Sequence, residues 1–505
     1  MTSQPAGTGV LKREIGLGSA LTLVVANMVG TGVFTTSGFI MVELGSAQAL
    51  LLCWLVGGLF ALTGALCYAE LGAMMPQAGG EYRYLRRTFG PLPAFLSGWI
   101  SLIVGFSAPI AAAAIAFATY ASSGGRDPWF VLNVFGRPTF TFSPATLLAV
   151  GVVVVLSLVH YHSVGLGRRV QNLLTIFKIG VILLFALGGL WLGSGDAGRL
   201  AGVFTSGAAA GAVFSRKFAV ALIFVSFAYS GWNAAAYLGA EIKRPERNIP
   251  LALIAGTVIV IGLYLLLNVV YLYALAPGEM AGALDLGVLA GAALFGPGVG
   301  RAVGMIVAVA LLSVISAMVM AGPRVYYAMA CDGVFFKCFR QVDRTRSTPG
   351  KAILLQGALA VLMILSATFE TLLIYIGFTL SLASVLTVCG LVKLRLTDPD
   401  ASRPYRTLGY PLTPLLFLAG NAWIVVHSLL EQPVAGLYGL GTVVLGALCY
   451  GLFRPVGGAP VPGAGEGEPK AGTARESELA SVPVAAGFSL DASSDASTGE
   501  AGRNW

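Results

Sequence analysis

Few residues in the apolar stretches of this sequence can do chemistry. One is Lys178, alone in Leu174-Thr175-Ile176-Phe177-Lys178-Ile179. A charge in mid-helix costs at least about 2.5 kcal/mol on insertion scales, so it faces protein or water and carries function. Glu43, Glu70 and Glu241 fall toward the ends of apolar segments, which leaves Lys178 no visible carboxylate partner. The other signal is a pair of glycine-bearing runs. These are Asn27-Met28-Val29-Gly30-Thr31-Gly32-Val33-Phe34 and Phe227-Ala228-Tyr229-Ser230-Gly231-Trp232-Asn233. Glycine inside a helix costs about 1 kcal/mol relative to alanine. A helix unwound there frees C=O groups at the end of one half and N–H groups at the start of the other. Hydrocarbon cannot satisfy these groups, so they line a cavity or meet a ligand. The N–H end suits a carboxylate and the C=O end an ammonium. Two breaks facing each other fit a zwitterion such as an α-amino acid. Packing glycines in intact helices would leave the same letters.

The elements that must position these residues are read from hydropathy. The chain has 505 residues, 56% hydrophobic and 11% charged, with a mean hydropathy of +0.82. Soluble domains carry about 25% charged residues. Apolar runs continue from Ile15 to Phe453, the pattern of an all-α polytopic membrane protein. The net charge of +8 does not indicate a nucleic-acid partner, because the basic residues sit in short loops. Twelve spans are expected, at 15–40, 47–71, 91–120, 144–162, 170–192, 217–240, 249–275, 299–328, 350–368, 371–395, 411–430 and 434–453. The breaks fall in the first and sixth. That is the offset of an inverted five-plus-five repeat, with halves at 15–195 and 217–395 and two added helices at 411–453. Residues 1–14 form a short N-terminus, and 455–505 have the composition of a disordered tail.

Of the 31 Lys and Arg residues, 24 fall on the side of the termini, 6 on the other, and Lys178 within a span. The bias places both termini in the cytoplasm of a protein of the cell (inner) membrane. The first apolar segment is too long for a cleaved signal peptide. All six cysteines read as free thiols.

Four stretches carry a resemblance to a known family. They are Asn27–Phe34, with its Gly30-Thr31-Gly32 break; Met75–Trp99; Phe227–Pro250, reading FAYSGWNAAAYLGAEIKRPERNIP; and Pro323–Gly333 followed by Thr348-Pro349. The chain resembles the amino acid–polyamine–organocation superfamily over residues 10 to 453. Within it, the chain looks like a bacterial relative of the L-type amino acid transporter branch. The resemblance implies a LeuT-like inverted repeat and amino-acid transport by alternating access. It assigns the substrate carboxylate to the backbone N–H groups of Thr31, Gly32 and Val33 beside Gly30. It assigns the α-ammonium to carbonyls near Met28, Phe227, Ala228 and Ser230, with Phe227 as the gate over the substrate. Gly105 and Tyr375–Phe378 are expected to complete the side-chain pocket. Ser230 departs from the glycine common in this motif. Animal relatives bond a heavy chain through an extracellular cysteine between spans three and four; residues 121–143 hold none, so no covalent heavy-chain partner is expected.

By the same resemblance Lys178 stands where sodium-coupled members hold sodium, against the first and eighth spans, which implies sodium independence. Ser313 and Ser316 are expected to supply it with hydroxyls. Two coupling roles stay open for Lys178. One is a fixed charge tying the fifth span to Gly30, the preferred role; the other is a carrier that takes up and releases a proton in each cycle. Glu241 is expected either to pair with the arginines at 243–247 or to join a plain surface cluster. His160-Tyr161-His162 lacks the Cys or carboxylate neighbours of a metal site. No nucleotide fingerprint or catalytic constellation is present, so neither a metal, a cofactor nor an enzymatic activity is expected. The leading reading is a sodium-independent exchanger of neutral L-amino acids, with membrane lipid as its surroundings. The alternatives are a proton-coupled importer, an antiporter for cationic amino acids or polyamines, and a non-transporting sensor.

Overall fold

The computed structural model describes residues 11–121, 128–134, 137–205, 215–283, 285–343, 348–366, 369–431 and 433–453. The tail expected at 455–505 lies outside these residues.

The first span is two helices. α1 (Leu17–Met28) stops at Val29, and α2 (Gly32–Leu44) restarts after Thr31. α3 (Ala47–Met74) begins where the Ser46 hydroxyl accepts from the Ala49 amide. α4 (Glu81–Phe89) is short and charged, and α5 (Pro91–Ile100) starts on a proline, the residue best suited to a first helical turn. α5 runs through a π-wound stretch, Ser101–Ser107, into α6 (Ala108–Ala121). Such insertions are frequent at functional sites. Next comes an antiparallel hairpin, β1 (Phe130–Val134) and β2 (Arg137–Phe142), with Phe130 opposite Phe142. This corrects the all-α expectation by one short hairpin, whose strands of 5 and 6 residues are too brief to stand out in sequence beside the long apolar runs.

α7 (Pro144–His162) opens with a capping box in which Ser143 and Thr146 satisfy each other's amides. One residue later, α8 (Val164–Leu192) starts earlier than the expected 170, because Ser163 caps the Leu166 amide. α9 (Ala197–Thr205) precedes the second break. The sixth span is broken, into α10 (Arg216–Ala228), a turn, α11 (Ala234–Tyr237) and a 3-10 turn at Gly239–Glu241. α12 (Pro245–Ala274), α13 (Pro277–Met280), α14 (Leu286–Phe295), α15 (Pro297–Ala321) and α16 (Pro323–Cys331) follow. α17 (Gly350–Ser366), α18 (Phe369–Thr397), α19 (Leu412–Glu431) and α20 (Pro433–Phe453) complete the described residues.

Among the described residues, eight helices are long and apolar enough to cross a membrane, and four shorter apolar helices accompany them. The protein is a multi-pass membrane protein. Lipid-facing leucines on α8, such as Leu184 and Leu192, are exposed, whereas α1 is buried among α8, α12 and α15.

One end of the bundle is latched by polar contacts. The Ile15 amide donates to the Glu241 carbonyl, and the Lys243 amide donates back to Ile15. Glu241, only 1% exposed, takes two hydrogen bonds from Arg324, 2% exposed, at 2.7 and 2.9 Å. Glu241 therefore pairs across the bundle rather than with its neighbours at 243–247. Arg83 and Arg86 both reach Asp332, and Arg395 and Arg403 both reach Glu70.

Candidate functional site

The two breaks meet. A Cβ added to Gly32 would stand 2.6 Å from the Cα of Ala228, so only glycine lets α2 start this close to the end of α10. Asn27 lies against Gly231, whose φ of +94° is open to few other residues, and its amide donates to the Gly231 carbonyl at 3.3 Å. The Gly32 and Val33 amides open α2, where no preceding turn exists to accept from them. The Phe34 amide is taken by the Thr31 carbonyl. At the carbonyl ends, Met28 and Ala228 both face the hydroxyl of Tyr264 on α12, at 2.6 and 2.9 Å. A hydroxyl has one proton, so it satisfies one of the two carbonyls at a time. The other keeps a lone pair for an ammonium.

A cavity of about 30 Å³ lies at the crossing, lined by Met28, Gly30, Thr31, Gly32, Phe227, Ala228 and Ser230. Val33 is buried beside it and does not line it. A second cavity of about 90 Å³ adjoins across Phe227 and Ser230. Gly105, in the π-wound stretch, and Ile376 and Gly377 on α18 line that one, where the resemblance put the side-chain pocket.

Lys178 is fully buried. Its ammonium donates to the Ala26 carbonyl at 3.0 Å and to the Val29 carbonyl, at the C-terminal end of α1. The expected hydroxyls go elsewhere. Ser313 donates to Ala310, one turn back on its own helix, and Ser316 shares a 2.8 Å hydrogen bond with Nε2 of His160. The free carbonyls at a helix end carry partial negative charge, which suits an ammonium better than a neutral hydroxyl does. Among the described residues no group of three His, Cys, Asp or Glu side chains could hold a metal ion.

The sequence matches the amino acid permease family over residues 15–449. The chain belongs to that family. The permease is 28% identical to the mouse b(0,+)-type amino acid transporter 1 over 453 residues, covering 88% of this chain and 89% of the relative. It is 31% identical to the human large neutral amino acids transporter small subunit 2 over 476 residues, covering 89% and 83%. Family and relatives make it a transporter rather than an enzyme.

Two residues of the permease site escape sequence reasoning. Tyr264 sits in an unbroken apolar run, where an aromatic reads as core. Glu81 sits in the basic stretch Glu81–Phe89, which reads as a solvated loop because Arg83, Arg86 and Arg87 follow. It is instead 4% exposed and lines the larger cavity. Its Oε1 accepts from Tyr68 at 2.6 Å and from Asn233 at 2.9 Å. The available signal was Gly79-Gly80 before it, both at positive φ, which turns α4 back into the bundle.

Proposed function

We propose that this permease is a sodium-independent secondary transporter that exchanges neutral L-amino acids by alternating access. It would do so on a LeuT-like fold of twelve transmembrane helices with two inverted repeats of five, in the cell membrane, with both termini cytoplasmic. The observation that carries the reading is the contact of the breaks at Gly32 and Ala228. It sets the start of α2 at Gly32 and the carbonyl ends at Met28 and Ala228 around one cavity, with Val33 buried beside it. Those are the donors and acceptors a zwitterion needs. The amides of Thr31, Gly32 and Val33 hold its carboxylate. Met28, Phe227, Ala228 and Ser230 receive its ammonium, and Phe227, which lines both cavities, is the gate. The relatives' names, which specify amino acids and in one case large neutral ones, agree with this substrate class.

Lys178 acts as the coupling residue. Its bonds to Ala26 and Val29 support a fixed tie between α8 and the end of α1, so that substrate at the break is felt by α8. Ser313 and Ser316 on α15 stand as further coupling residues, their hydroxyls bonded in this state to the Ala310 carbonyl and to His160. With no cysteine in residues 121–143, no covalent heavy chain attaches there.

The test is uptake of labelled alanine, serine and leucine into proteoliposomes, sodium-free, with and without unlabelled amino acid inside. Uptake that requires internal amino acid supports exchange. Uptake into empty vesicles driven by an inward proton gradient would replace it with proton symport. Binding without flux would make the protein a sensor.

A further inference from the structure

The buried acidic groups at the latched end are not alike. Glu70 has Arg395 and Arg403, Glu241 has Arg324, and Asp332 has Arg83 and Arg86. Glu81, buried like Glu70 and Glu241, has no Lys, Arg or His within ion-pair range among the described residues. Its surroundings are neutral. Tyr68 reaches it from α3 and Asn233 from the turn after α10. Tyr237 of α11, which accepts from Asn233 at 3.1 Å, is close enough to donate to the same carboxyl. Behind these stand Tyr84 on α4 itself and Tyr326 on α16, also phenols, uncharged near neutral pH with an ordinary value of about 10. The arginines of α4 are turned to Asp332 and Asp398.

We propose that Glu81 is a proton-binding site in the wall of the transport cavity, protonated while α4 is closed on residues 231–238 and deprotonated when the two part. An ionised carboxylate with no cation partner is costly in a buried site, and a neutral carboxyl is much less so. Both hydrogen bonds from Tyr68 and Asn233 fall on Oε1, which leaves Oε2 to carry the proton. Burial holds this carboxyl above its usual range, partly offset by the three donors. The closure is of the kind that can open. The turn that leads into α4 meets the 234–238 segment through the Gly79 amide on the Tyr237 carbonyl at 3.1 Å and the bridge from Ala78 to Leu238. When these separate, Oε2 releases its proton to entering water and the carboxylate is solvated. A carboxyl held high when closed and ordinary when open binds its proton more tightly in the closed form. Acid on that side therefore favours closure, and the preference is lost as pH rises through the closed-state value.

The proposal rests on the transport reading, so the test has a part that does not need transport. In detergent-purified full-length protein at neutral pH, infrared spectra should show a protonated-carboxyl band that Glu81→Gln removes and Glu81→Asp retains. No band lost in Glu81→Gln would overturn the proposal, whatever the transport result. In exchange assays with the pH of each compartment set independently, acidifying the side that faces α4 from about pH 8 to about pH 6 should slow leucine exchange about fivefold or more. The opposite compartment should matter little, and Glu81→Gln should be slow and flat with pH. A wild-type pH profile retained in Glu81→Gln would sink the idea. Competition by lysine that disappears in Glu81→Gln, with leucine exchange indifferent to pH, would instead make Glu81 a contact for a cationic side chain.

Discussion

The phenol of Tyr264 donates to the carbonyl of Met28 across 2.6 Å, linking α12 to the last turn of α1. The same oxygen is 2.9 Å from the Ala228 carbonyl, so one side chain spans both helix breaks. Removing it takes away one hydrogen bond that the two carbonyls share, at about 1–3 kcal/mol. Tyr264→Phe, which keeps the ring packed on Trp54 and Tyr229, should cut exchange of labelled leucine about tenfold at normal protein levels. Wild-type flux would mean that the hydroxyl does not organise the site.

Gly32 is where the two breaks touch. In Gly32→Ala the new methyl would lie 2.6 Å from both Cα and Cβ of Ala228, a distance that only a backbone shift relieves. Leucine binding measured by scintillation proximity should weaken by tenfold or more in rough terms, because misplacing a binding group by about 1 Å has that scale of effect.

Thr31→Pro and Phe227→Ala probe the carboxylate end and the gate. Thr31 already has a φ of −61°, which suits a proline ring, so the main loss is one N–H. Each variant should lower uptake of neutral amino acids by about tenfold or more. Normal uptake by either, with normal membrane levels, counts heavily against the site.

Lys178→Ala should impair flux without recovery under an imposed proton gradient, since the bonds to Ala26 and Val29 are lost whatever the gradient. Recovery under an inward gradient would point to a proton-carrying lysine instead.

The Glu241–Arg324 pair is almost fully buried at the latched end. Glu241→Gln leaves a guanidinium without its charge partner, a loss of about 3–5 kcal/mol for buried pairs. Thermal unfolding in detergent should show a clearly lower midpoint. Replacing both partners by neutral residues should recover part of it. An unchanged midpoint in the single variant would show that the pair contributes little to the closed arrangement.

What the sequence determined by itself is what depends on composition and local pattern. Long apolar runs mean burial in lipid wherever the helices end up, so the membrane class was legible. Glycines in mid-span weaken a helix locally, so the breaks at Gly30–Gly32 and Ser230–Gly231 were legible too, as was the mid-helix Lys178. Partners were not. Lys178 finds carbonyls 149 and 152 residues away, and Arg324 finds Glu241 rather than a nearer carboxylate. Tyr264 looked like any core aromatic, and Glu81 looked solvated beside three arginines. Whether a polar group is wet, paired or alone is set by the neighbours that packing brings from distant helices, and those distances are not written in local hydropathy.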